Sequence, residues 1–211
     1  MKKSAIATFI LAAVLANVTA AGTHLVGGSA NQGNGIPFRP MESGMRWQTI
    51  WHQTDIAEAG TITKVEFQTQ SITEAGTFYN CNILLCHTSL AHVTTAFHSN
   101  YSGNTPVTVF VGTKVVPVMP QGQWFPAAES INFEYNNTNN LLIEIHWSGA
   151  SGETMCSIYS NSRGKAGRVF ALDPNANTGT VTENYDTIGR ITISPTGVEP
   201  TSLGRIKGLY N

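Results

Sequence analysis

Charge is scarce in this sequence. Only 12% of its residues are Asp, Glu, Lys or Arg, against about 25% in an ordinary soluble domain. The 12 basic and 13 acidic residues nearly cancel, so there is no basic field to draw in nucleic acid or an anionic membrane. Cysteine is nearly as rare, with three in the chain and no two in a Cys-x-x-Cys pair. That excludes a dithiol redox motif and the common zinc knuckles. After the first twenty residues no apolar run approaches the roughly 20 residues that span a bilayer. There is no Gly-x-Ser-x-Gly elbow, no His-Glu-x-x-His helix and no phosphate-binding glycine loop. The sequence makes no positive case for an enzyme.

What is present begins with an export signal. Lys2 and Lys3 precede an apolar run from Ala5 to Leu15, and small residues follow to Ala20. This is the pattern of a cleaved secretory peptide over residues 1–20. Without Lys2 and Lys3, ten basic residues face thirteen acidic ones, a net charge of −3. Periodicity in the rest is two rather than 3.6. In "LLIEIHW", Leu141, Ile143, Ile145 and Trp147 alternate with Leu142, Glu144 and His146, as in a strand buried on one face. "TITKVEFQ", "PVTVFVG", "SINFEY" and "GRITIS" read the same way between Gly, Pro, Asn and Ser. "MRWQTIWH" and "CSIY" add further strands. No window carries an amphipathic helix of three turns. The expectation is an all-β fold: one antiparallel, jelly-roll-like β-sandwich domain over residues 21–195. Residues 196–211 read as a linker and a C-terminal tail.

"CNILLCHTSLAH" gathers Cys81, Cys86, His87 and His92 within twelve residues. On a strand, positions five apart face opposite sides, so Cys81 turns inward and Cys86 outward. They cannot ligate one ion without a sharp bend. Export makes a disulfide available, and Cys156 is expected to bridge to Cys81 or to Cys86. Cys81 serves equally well as an unpaired small core residue.

The same region carries a resemblance. "NILLCHTS" followed by "PVTVFVGT", a Gly122-x-Trp124 turn, the aromatic pair Phe133 and Tyr135, and Asn140 to Ile143 come in the order of a known module. With the entry "IAEAGTITKVEF", this set resembles a secreted β-sandwich module of bacterial cell-surface and exported proteins, over Gly22 to Ser194. The resemblance implies a non-catalytic part of an adhesin, a surface layer or a multidomain exported enzyme, with no shared catalytic residues. "TSLGRIKGLY" resembles short tails on some exported bacterial proteins.

Several constellations remain. Asp173, Asn175 and Asn177 have the alternate oxygen spacing of a calcium loop, yet Thr178 and Asn184 stand where an EF-hand needs Gly and Glu. Calcium is therefore the one candidate ion. Trp47 and Trp51 share one face of a strand and are the candidate aromatic platform for a polysaccharide. Trp147 belongs with the core, and Trp124 at a sandwich edge. Glu144 and His146 share a polar strand face and offer an acid/base pair that lacks a third group and a cleft. An exported hydrolase ranks behind two other readings. The first is an extracellular structural or interaction protein, secreted or held at the cell surface, that assembles with itself or another surface protein. The second is a carbohydrate-binding module. For assembly, "PVTVFVG" and "GRITIS" offer weakly charged strands, and Leu203, Ile206 and Leu209 of the tail offer apolar docking side chains.

Overall fold

The alternating stretches become strands in the computed structural model, which describes residues 20–29, 32–70, 75–152, 158–161, 166–183 and 185–195. In chain order they are β1 (Gly22–Val26), β2 (Gln32–Asn34), β3 (Gly44–Trp51), β4 (Gly60–Gln68), β5 (Gly76–Thr88), β6 (Val107–Val116) and β7 (Trp124–Tyr135). Then follow β8 (Asn140–Ser148), β9 (Ala150–Gly152), β10 (Ile158–Asn161), β11 (Arg168–Ala171), β12 (Thr180–Thr182), β13 (Asp186–Thr187) and β14 (Gly189–Ser194). The α-helix among the described residues is a single turn, Gln53–Ile56, closed by Ala57 in the left-handed region (φ 57°). No helix among them is long and apolar enough to cross a membrane. Residues 1–19 of the expected signal peptide, Cys156, and Leu203, Ile206 and Leu209 of the expected tail lie outside the described residues.

All strand pairings are antiparallel. One sheet runs β1-β14-β4-β7, and a larger one runs β12-β11-β3-β8-β5-β6 with β9 beside the start of β5. A small ladder joins β13, β10 and β2. The fold is all-β and sandwich-like. Ile62, Val65, Phe67, Phe125, Phe133, Ile191 and Ile193 of the four-stranded sheet bury against Met45, Trp47, Phe78, Ile83, Ile145 and Trp147 of the larger one. Phe67 meets Trp47 edge-on at 6.0 Å and Trp51 at 6.1 Å between ring centroids, a geometry that aromatic quadrupoles favour. Gly189 lets the sheets close here: a Cβ on it would stand 2.2 Å from the Trp51 ring.

The larger sheet is not half-buried, as its alternation suggested. Residues 89–106, between β5 and β6, fold back over its outer face and include a 3₁₀ turn, His98–Tyr101. Val93, Phe97 and Tyr101 of this segment pack on Ile50, Cys86, Leu142 and Val169 of the sheet. Main-chain bonds from Val93 N–H to Ala166 O (3.0 Å) and from Phe97 N–H to Asn177 O (3.1 Å) fix it in place. There are thus two cores, one on each side of one sheet.

Candidate functional site

Cys81 and Cys86 sample those two cores. Cys81 is inward, as its position on the strand required, and belongs to the core between the sheets. Cys86 faces the opposite side, but that side is buried too, not exposed as expected. Both carry free thiols; Cys156, the partner expected for one of them, lies outside the described residues. Burial pushes the thiol of Cys81 up to about 12 and that of Cys86 to about 11, the latter helped by the charge of Glu144. Neither is a nucleophile at neutral pH. Among the described residues no group of three or more His, Cys, Asp or Glu is placed to hold a metal ion.

The tryptophan platform is corrected outright. Trp47 and Trp51 do share one face of β3, but it is the inner one, and they are 0% and 1% exposed. The Trp51 indole donates to Thr187 O at 2.9 Å, while the Trp47 N–H has no hydrogen-bond partner. Trp147 is core as read, and the partly buried Trp124 lies under the Arg190 guanidinium at 4.7 Å.

Asp173, Asn175 and Asn177 lie exposed in the turn after β11. One Asp173 carboxylate oxygen accepts the Asn175 N–H at 2.9 Å, closing the turn on itself. The carbonyls of Ala176 and Asn177 accept from Arg46 and from Phe97 N–H.

Glu144 and His146 are brought together, with the third and fourth groups that the sequence did not reveal. The register sets Arg46 opposite His146 and Gln48 opposite Glu144, which puts all four on the outer face. Glu144 is 1% exposed and accepts at one oxygen from Arg46 Nε (3.0 Å) and His146 Nδ1 (3.0 Å). At the other it accepts from Arg46 Nη2 (3.1 Å), Gln48 Nε2 (2.5 Å) and the Tyr101 hydroxyl (2.5 Å). Gln48 in turn takes Asn100 Nδ2 at 2.8 Å and donates to Phe97 O at 3.1 Å. Burial alone would raise the Glu144 carboxyl. The hydrogen bonds from His146, Arg46 and Tyr101, and the Arg46 charge, outweigh it and hold the group below the ordinary carboxylate value. A carboxylate with five donors is a poor proton acceptor. The cluster ties segment 89–106 to the sheet, and its chemistry is that of a clamp.

Arg46 and Gln48 are polar residues beside the buried Trp47, and that alternation was the available signal for their face. Tyr101 sits in an irregular segment and left no signal.

The other feature of the outer face is where the cover ends. β6 is the last strand of the larger sheet and, among the described residues, is bonded only to β5. Val107, Val111 and Val115 along it are exposed, as are Val118 just past it and Tyr79 on β5. "PVTVFVG" thus lies at a sheet edge as the sequence suggested. "GRITIS" does not, because β14 is held between β1 and β4.

Compared with known proteins, the chain matches no family model, no curated protein and no solved structure.

Proposed function

We propose that this chain is an exported, non-catalytic structural or interaction protein, working outside the cell or at its surface by pairing with another β-protein along the edge of its larger sheet. One observation carries the reading: β6 is a ten-residue terminal strand with exposed valines and no charged side chain turned outward. A long, uncharged edge is a template for strand addition. The likeness of "NILLCHTS", "PVTVFVGT" and "NLLI" to a secreted bacterial β-sandwich module supports the same reading, as does the export pattern of residues 1–20. The saturation of Glu144 favours binding over catalysis.

The test uses native material from the producing cells, crosslinked, sized by sedimentation and imaged by negative stain. Expected is a species larger than one chain, with crosslinks from the β6 region to a copy of the chain or to another surface protein. Native material that sediments and images only as single chains overturns the reading.

A further inference from the structure

The four strands that end the two main sheets are guarded differently. β12 is three residues long, too short to template much pairing. β1 carries His24, which is paired to Glu58 at 2.6 Å. β7 is long but carries Pro126, which has no N–H to donate. It also carries exposed Glu129 and Glu134, and a kink at Ser130 (φ 55°). Proline, charge and irregularity are devices that blunt a sheet edge. β6 lacks the first two. Its one charged residue, Lys114, turns inward, with Nζ 5.2 Å from the Phe110 ring centroid and 5.0 Å from that of Phe125. Its extra residue, Val109, sits near the start, where the register with β5 shifts between Leu84 and Ile83. From Phe110 to Val116 no extra residue falls on the β6 side: the second register shift puts its extra residue on β5, opposite the step from Lys114 to Gly112, and Gly112 takes it up at φ 143°. Val111, Thr113 and Val115 of that stretch are all exposed, the two valines by 70% and 55%.

We infer that this stretch pairs antiparallel with the same stretch of a second copy, about a two-fold axis at Thr113. This rests on the assembly reading above and names its partner. A strand edge needs an extended main chain opposite it, and an uncharged row needs an uncharged partner. β6 meets both conditions for itself. With Thr113 opposite its own counterpart, Val111 of one copy faces Val115 of the other, so the outer row becomes three neutral β-branched pairs. On the inner row Lys114 of each copy falls opposite Gly112 of the other and not opposite Lys114. That register avoids the one like-charge meeting the strand could make. Phe110 falls opposite Val116, so the seven-residue stretch maps onto itself end to end. An isologous pair of this kind closes, and the two larger sheets become one continuous sheet through the dimer.

The experiment uses purified protein of residues 21–211, sized by sedimentation over a range of concentrations. The wild type is expected to run as a dimer. The double variant Val111→Lys, Val115→Lys changes only exposed side chains and is expected to run as a monomer at the same concentration with an unchanged melting temperature. Asn132→Lys, on exposed β7, is the charge control and is expected to remain dimeric. Directly opposite residues in antiparallel strands lie about 4.5–5.5 Å apart at Cα, within disulfide reach. In a Cys156→Ala background, Thr113→Cys is therefore expected to form a covalent dimer under copper-phenanthroline and air, while the background protein with Thr113 does not. A dimer that persists in the double-lysine variant, or a Thr113→Cys protein that does not crosslink, overturns the inference and leaves the assembly reading standing. So does a purified monomer whose native material is bound to a different surface protein. Monomers in both the purified and the native material overturn both.

Discussion

The two faces of the larger sheet are both buried over its centre, but different chemistry covers them. The inner face is covered by another sheet, with Trp47, Trp51 and Trp147 set among Phe38, Phe67 and Phe125. The outer face is covered in part by one irregular segment, residues 89–106, whose apolar contacts are few. It is fastened there by a buried carboxylate that accepts five hydrogen bonds. Nonspecific burial suffices where area is large. Where it is small, a directional network takes over, and such a network fails steeply when one member is lost. The difference can be broken from either side.

Trp51→Ala attacks the inner face and should have the largest effect. It removes a fully buried ring together with its bond to Thr187 O, and should cost about 3–5 kcal/mol. Chemical denaturation is the measurement. A loss below about 1 kcal/mol would mean that the ring is not packed between the sheets.

Glu144→Gln attacks the outer face. An amide cannot accept from all five donors, and the Arg46 guanidinium loses its counter-charge. Breaking a fully buried pair costs about 3–5 kcal/mol. Arg46 keeps 17% of its side chain exposed, so about 2–3 kcal/mol is expected here. The pH dependence gives a separate check. The carboxyl of folded Glu144 sits below its unfolded value, held there by its donors against the opposing push of burial. Its contribution is therefore present above the unfolded value, near 4.3, and is lost as pH falls through the folded one. Glu66 on β4, facing Arg190 and Lys64, is depressed in the same direction and adds to the same acid limb. Glu144→Gln should flatten that limb in part, leaving the share of Glu66. An unchanged acid limb would show that Glu144 does not hold its charge in the folded state.

Tyr101→Phe removes one donor to Glu144 and leaves the ring. About 1–2 kcal/mol should be lost, with faster hydrogen exchange confined to residues 89–106. Uniformly faster exchange would contradict a clamp local to that segment.

How much of this was readable beforehand differs between the faces in the same way. Alternation in "LLIEIHW" and "MRWQTIWH" gave the strands and the inner residues, because a strand's faces follow from chain geometry alone. It also set Glu144 beside His146. The outer cover was not read, although Leu142, Cys86 and Ile50 marked it: all three are apolar residues in rows that would otherwise face water. A segment with no periodicity of its own, such as 89–106, gives no account of where it will lie. The tryptophan platform failed for a related reason. Alternation shows that Trp47 and Trp51 share a side, but not which side is covered.

Cys81 and Cys86 allow both faces to be watched on one strand without disturbing either. In a Cys156→Ala background the folded protein should react with no thiol reagent, and the unfolded protein at two sites. At intermediate denaturant the two should separate. Exposing Cys86 requires only that segment 89–106 lift from the sheet, a local opening that breaks the Glu144 cluster and little else. Exposing Cys81 requires the two sheets to part, which is global unfolding. Local openings cost less than global ones and populate first. Cys86 should therefore label before Cys81, and Glu144→Gln should widen the gap by speeding Cys86 alone. Mass spectrometry of digested, labelled protein reads both sites at once. Equal rates at the two cysteines would mean that the two faces open together, so that the clamp and the aromatic core form one cooperative unit.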